Sequence, residues 1–115
     1  MEDDDAYCKV YADTSVEMAK ERLESSLGLN FDRSSVHFSV GSLYVSKNGY
    51  HDSATNPGRN FVQWETVVDI EPDVRSAESD AFVGSVLDAL WCAEVSAVAA
   101  CDYEEDLPGG GRRFY

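Results

Sequence analysis

Two stretches of this chain repeat one pattern: an alternating apolar run, a stripe of helical period, and a second alternating run. That repetition limits the possible folds more than any other feature. In the first stretch Ala6, Cys8, Val10 and Ala12 fall on one side of a strand and Tyr7, Lys9 and Tyr11 on the other. Thr14-Ser15-Val16-Glu17 follows with the form of a capping box, in which the Thr14 hydroxyl and the Glu17 carboxylate take up amides left free at a helix start. The helix continues to about Leu27. Its apolar stripe is Val16, Ala19, Leu23 and Leu27, and Gly28 before Leu29 supplies a left-handed stop.

In the middle of the chain Val36, Phe38 and Val40 alternate with polar residues, and Leu43 and Val45 resume the apolar face. Gly41-Ser42 between them is placed as the two-residue turn of a hairpin. Residues 47–60 hold Asn48-Gly49 and Asn56-Pro57-Gly58 among polar neighbours and read as a loop. Phe61 to Glu71 reads as the longest strand, with Val62, Trp64, Thr66, Val68 and Ile70 on one face, ended by Pro72. A second helix, capped by Ser76 or Ser79, runs to about Glu94 with Phe82, Val86, Ala89, Leu90 and Ala93 inward. The small residues of Ser96 to Cys101 make a last strand over which a helix can lie close.

The element order is β-α-β-β-β-α-β. Right-handed crossovers in both strand-helix-strand units put both helices on one face of a single sheet. The predicted fold is therefore α+β: a single mixed β-sheet with two helices on one face, ferredoxin-like or a β-α-β-β-β-α-β variant, depending on whether Leu43–Ser46 is a separate strand. At 115 residues, 43% of them hydrophobic, the chain suffices for one core. The expected organisation is an acidic disordered leader at residues 1–5, one domain at 6–108 and a loose tail at 109–115.

Charge narrows the function. Acidic residues number 22 against 9 basic ones, a net charge of −13, and between Glu65 and Asp106 only Arg75 opposes the carboxylates. A field of that sign repels nucleic acid and anionic membranes and steers basic proteins inward. The N-terminal Met-Glu-Asp-Asp-Asp has neither the basic nor the apolar part of a secretion signal, so cytoplasmic residence is expected.

Catalytic signals are thin. His37 and His51 stand at no metal-ligand spacing and beside no nucleophile. Cys8, Cys92 and Cys101 lack a paired short spacing, which argues against a disulfide framework and a zinc site, and they read as buried free thiols. No catalytic residue, metal or cofactor is expected.

What remains is surface. The alternation sends Tyr7, Tyr11, His37, Tyr44, Phe61, Glu65, Asp69 and Glu71 to the sheet face that the helices leave bare, an aromatic patch edged with carboxylates. Tyrosine offers contact area with a polar tip at little entropic cost, so such a patch suits a protein interface. Glu104-Glu105-Asp106 after the last strand adds an acidic arm within reach of a basic partner. Stacking of single-stranded RNA on the same rings would be opposed by the charge.

The stretches Phe61-Val62-Gln63-Trp64-Glu65 through Asp69-Ile70-Glu71-Pro72, and Ala99-Ala100-Cys101-Asp102-Tyr103-Glu104-Glu105-Asp106-Leu107-Pro108, resemble small bacterial proteins of the toxin-immunity kind. The resemblance covers roughly the last half of the chain and carries no residue whose role transfers to a position here. It implies a small, acidic, cytoplasmic inhibitor that neutralises a basic nuclease toxin by mimicking the charge of its substrate. The leading expectation is thus a protein-binding module whose partner is basic. The alternative is a dimeric ferredoxin-like enzyme or ligand carrier, paired through the open sheet face, with Cys8, Trp64 and Trp91 near a pocket between sheet and helices.

Overall fold

A computed structural model describes residues 7–39, 41–49, 51 and 60–115. Its strands are β1 (Cys8–Ala12), β2 (Ser35–Phe38), β3 (Gly41–Lys47), β4 (Thr66–Pro72), β5 (Ala97–Ala100) and β6 (Arg112–Arg113); its helices are α1 (Val16–Leu27) and α2 (Ala77–Cys92). The acidic leader and most of the 47–60 loop lie outside the described residues.

The six strands form one open sheet in the order β2-β3-β4-β1-β5-β6. Both helices pack on one of its faces, where Val10, Leu43, Val68 and Ile70 meet Ala19, Leu23, Val86, Leu87 and Leu90 in one buried core. The fold is α+β, as the element order predicts. Every pairing is antiparallel, so the sheet is not mixed. The reason lies in the strand order: the α2 crossover skips β1, so β4 and β5 run parallel without touching, and the α1 crossover passes both β4 and β3 to reach β2 at the edge, antiparallel to β1. Leu43–Ser46 belongs to a strand separate from β2, and β2 is added at the edge without disturbing the four-stranded ferredoxin-like centre.

Local chemistry explains the element ends. The cap of α1 is Ser15, whose hydroxyl accepts from the Met18 amide at 3.2 Å. This lies one residue later than the sequence pattern suggests, because the Thr14 carbonyl is held by the Thr66 hydroxyl at 2.5 Å. Gly28 stops the helix at φ 69°. In α2, Ser76 and Ser79 cap reciprocally, with 3.1 Å and 2.8 Å bonds, so both candidate caps take part.

Gly41 is not in the hairpin turn; it opens β3, paired with Phe38 and Pro72. Its role is close approach. A Cβ there would stand 2.4 Å from the Glu71 carbonyl oxygen and 2.5 Å from the Pro72 Cα. Backbone on the central strand cannot move aside cheaply, so Gly41→Ala is expected to cost about 2–3 kcal/mol in chemical denaturation, near the upper end of overpacking penalties. A change under ~0.5 kcal/mol would show that β3 and β4 are less closely apposed.

The longest predicted strand is shorter than its alternation. Phe61–Gln63 is a 3₁₀ turn, and pairing begins only at Thr66. Asn48, buried directly after β3, imposes the turn: its side-chain amide donates to the Val62 and Trp64 carbonyls, each at 2.8 Å, and its backbone amide donates to Glu65 at 2.7 Å. Three carbonyls within four residues therefore converge on one asparagine instead of on a neighbouring strand.

The C-terminal segment is not loose either. Arg112 and Arg113 pair with Val98 and Ala97. The Tyr115 amide donates to the Ser96 hydroxyl at 2.6 Å, and the Phe114 ring meets Trp64 edge-on at 5.7 Å.

Candidate functional site

The face of the sheet opposite the helices divides into two halves. At the end where β1 finishes and β4 begins, the chain covers itself. Tyr11 lies level with Val67 of β4 and Val98 of β5 on that face. Both valines are nevertheless buried, at 6% and 0% exposure, and neither belongs to the helix-side core. The cover comes from the 3₁₀ turn and the C-terminal segment: Phe61 sits 5.3 Å from the Tyr11 ring, Trp64 packs on Phe61 and Phe114, and the Arg112 guanidinium lies 5.7 Å from the Phe61 centroid. The expectation of a wholly bare face is corrected here. Tyr11 and Phe61 are half-buried members of a second small core, formed because two valines on that side would otherwise meet water.

The other half is open. Register places Tyr44 beside Asp69, Ser42 beside Glu71 and His37 beside Ser42. Tyr7 and Tyr44 are exposed by 37% and 40%. The Tyr7 hydroxyl donates to Asp69 Oδ1. Partial burial, then that carboxylate, push the Tyr7 phenol above its usual range, so it stays a neutral donor. His37 Nδ1 and the Ser42 hydroxyl are 2.9 Å apart. Of the predicted partner-binding residues, then, Tyr7, His37, Tyr44, Asp69 and Glu71 are brought together. Glu65 is half-buried ahead of β4 and stands apart from them.

Glu104–Asp106 form a 3₁₀ turn that closes this same end of the molecule on the helix side. Arg75 anchors it, with Asp80 of α2 at 3.3 Å, Asp106 at 3.4 Å and the buried Tyr103 ring 4.3 Å beneath the guanidinium. The acidic arm is therefore continuous with the start of α2 and lies around the corner from the sheet face. Between α2 and the turn, Asp80, Asp88, Asp106 and Pro108 border a surface groove of about 270 Å³, and a second of about 260 Å³ runs between α1 and α2 past Leu27, Asp88 and Cys92. Neither reaches the size of an ordinary small-molecule pocket. Sequence reasoning missed Asp80 and Asp88 as part of an acidic surface, although their spacing of eight on one helix is the signal that could have found them.

Compared with known protein families, characterised proteins and solved structures, the chain finds no match. The chemistry must be read from this chain alone. Among the described residues, no three His, Cys, Asp or Glu side chains gather as metal ligands would, and no helix is long and apolar enough to cross a membrane. Cys8, Trp64 and Trp91 do not line one pocket: Trp64 lies on the sheet face opposite the helices with Phe114, whereas Trp91 lies in α2 with its indole N–H on the Ala97 carbonyl at 3.2 Å. The three thiols also differ from the buried set expected, since Cys92 is exposed, Cys101 half-buried and Cys8 fully buried.

Proposed function

We propose that this chain is an acidic protein-binding module that inhibits a basic protein by covering it, in the manner of an immunity protein against a nuclease-type toxin. One observation carries the reading. Exposed Tyr7 and Tyr44 stand beside Asp69 and Glu71 at the end of the molecule that also presents Asp80, Glu105 and Asp106, in a chain of net charge −13. Long-range attraction of a cationic partner would speed association, and the two tyrosines would supply the desolvated contact that slows release. Carboxylates beside aromatic rings suit a surface that takes lysine and arginine side chains in place of phosphate.

The test is affinity capture by the tagged chain from its own source cells, followed by a nuclease assay on what is captured. The expected result is a basic polypeptide in equimolar complex, its nucleic-acid cleavage blocked by the wild-type chain. Joint replacement Asp69→Lys with Glu71→Lys should slow association by roughly ten- to a hundredfold, the scale of electrostatic steering. An acidic partner, or an association rate indifferent to both substitutions and to salt, would sink the proposal.

A further inference from the structure

Register brings together two cysteines that the sequence holds far apart. Lys9 pairs with Ala100, so the next cross-strand position places Cys8 opposite Cys101, and their sulfurs are 3.0 Å apart. The hydrogen-bond alternation also matters. Asp13 donates to Ser96 at 2.9 Å, and counting back along β1 and β5 makes residues 8 and 101 a non-bonded pair; consistently, both backbone groups of Cys101 engage Glu104. At such positions antiparallel Cα atoms are about 4.5 Å apart, within the range a disulfide spans, and closing the sulfurs to bonding distance needs ~1 Å of movement.

We propose that Cys8 and Cys101 form a reversible dithiol–disulfide site, with Cys101 as the attacking sulfur, Cys8 as the resolving one, and a small neutral or cationic disulfide as the oxidant. Cys101 is the accessible partner, and Cys8 is wholly buried behind it. The S–H that Cys8 donates, with the Tyr103 backbone amide, holds the Cys101 thiol below its ordinary value against burial and the Glu104 and Asp102 charges. The same sulfur contact, then burial, pushes Cys8 up. The thiolate at Cys101 attacks one sulfur of the reagent RSSR, forming a Cys101–SR bond and releasing RS⁻. Cys8 then attacks Cys101 Sγ, its proton leaving with the second RS⁻. The sum is two protein thiols and RSSR giving one protein disulfide and two RSH.

The carboxylates of Asp102 and Glu104 decide the class of oxidant. They repel anionic disulfides and attract cationic ones. This site is independent of the proposed inhibitor role, although a bond there would tie β1 to a residue between β5 and the acidic turn.

The experiment uses the full chain carrying Cys92→Ser, which removes the exposed thiol, treated while folded with cystamine or with oxidised glutathione and mapped by mass spectrometry without reductant. Expected is a loss of two hydrogens, a single peptide link between Cys8 and Cys101, and full reversal by dithiothreitol. Cystamine should react roughly tenfold or more faster than oxidised glutathione at low ionic strength, with the ratio shrinking as salt screens the carboxylates. Adding Cys8→Ser should stop the reaction at one cysteamine adduct on Cys101. Adducts on both sulfurs without a link, or two unreacted thiols in the folded chain, overturn the site; equal rates with the two reagents overturn its charge selectivity. Should the Cys8→Ser chain fail to fold, the link map of the Cys92→Ser chain decides alone.

Discussion

Trp64→Ala is expected to lower the unfolding free energy by about 3–5 kcal/mol, the usual penalty for truncating a buried indole. Trp64 is 1% exposed, yet it lies outside the helix-side core and rests on Phe61 and Phe114. A domain of this size has only about 5–15 kcal/mol to lose. Denaturant unfolding of four chains separates this from an ordinary core effect: wild type, Trp64→Ala, Phe114→Ala and the double variant. If the C-terminal segment seals the second core, Phe114→Ala alone costs about 1–2 kcal/mol, and the pair couples by ~0.5–1.5 kcal/mol. Strict additivity, with no loss from Phe114→Ala, would mean that the segment does not hold that position in solution.

A second large effect is expected at Asn48. Asn48→Ala withdraws the donor from the Val62 and Trp64 carbonyls, and each buried acceptor left without one costs ~1–3 kcal/mol. Since Val62 is 42% exposed, water can serve its carbonyl, and the Trp64 carbonyl carries most of an expected loss of about 2–3 kcal/mol. Asn48→Asp sharpens the test, because a carboxylate can only accept and would face two carbonyls. Its pKa would be raised in the folded state, so the variant is most stable, relative to wild type, below the ordinary carboxyl pKa of about 4. That relative stability falls as pH rises past it, until the folded group also ionises. A flat pH difference between variant and wild type would show that the asparagine is not the clamp on the 61–65 segment.

Both effects arise where the alternation of Phe61–Glu71 is misleading. Val62 and Trp64 have the period of a strand, but a period says only that side chains could alternate, not that the backbone has a neighbour to pair with. A polar residue fourteen and sixteen positions earlier captures those carbonyls first. The same limit applies to the bare face. Parity alone puts Tyr7, Tyr11, Tyr44 and Phe61 on one surface, and parity is silent about what the C-terminal residues do. Arg112-Arg113-Phe114-Tyr115, too short and too basic to read as a strand, joins the sheet edge because β5 offers unpaired backbone groups and Val98 offers an uncovered apolar surface.

The sequence by itself determined the two helices, the cap of α2 and the glycine stop of α1, the inward stripe of each, the strands that make the helix-side core, and the acidic field. All of these depend on residues within a few positions of one another or on a simple sum of charges. Only the tertiary structure decided the strand order, the self-covered half of the second face, the Asn48 clamp and the meeting of Cys8 with Cys101 across 93 positions of chain. Contacts of that kind follow from register between distant strands, and register is chosen by the whole core at once rather than by any local pattern.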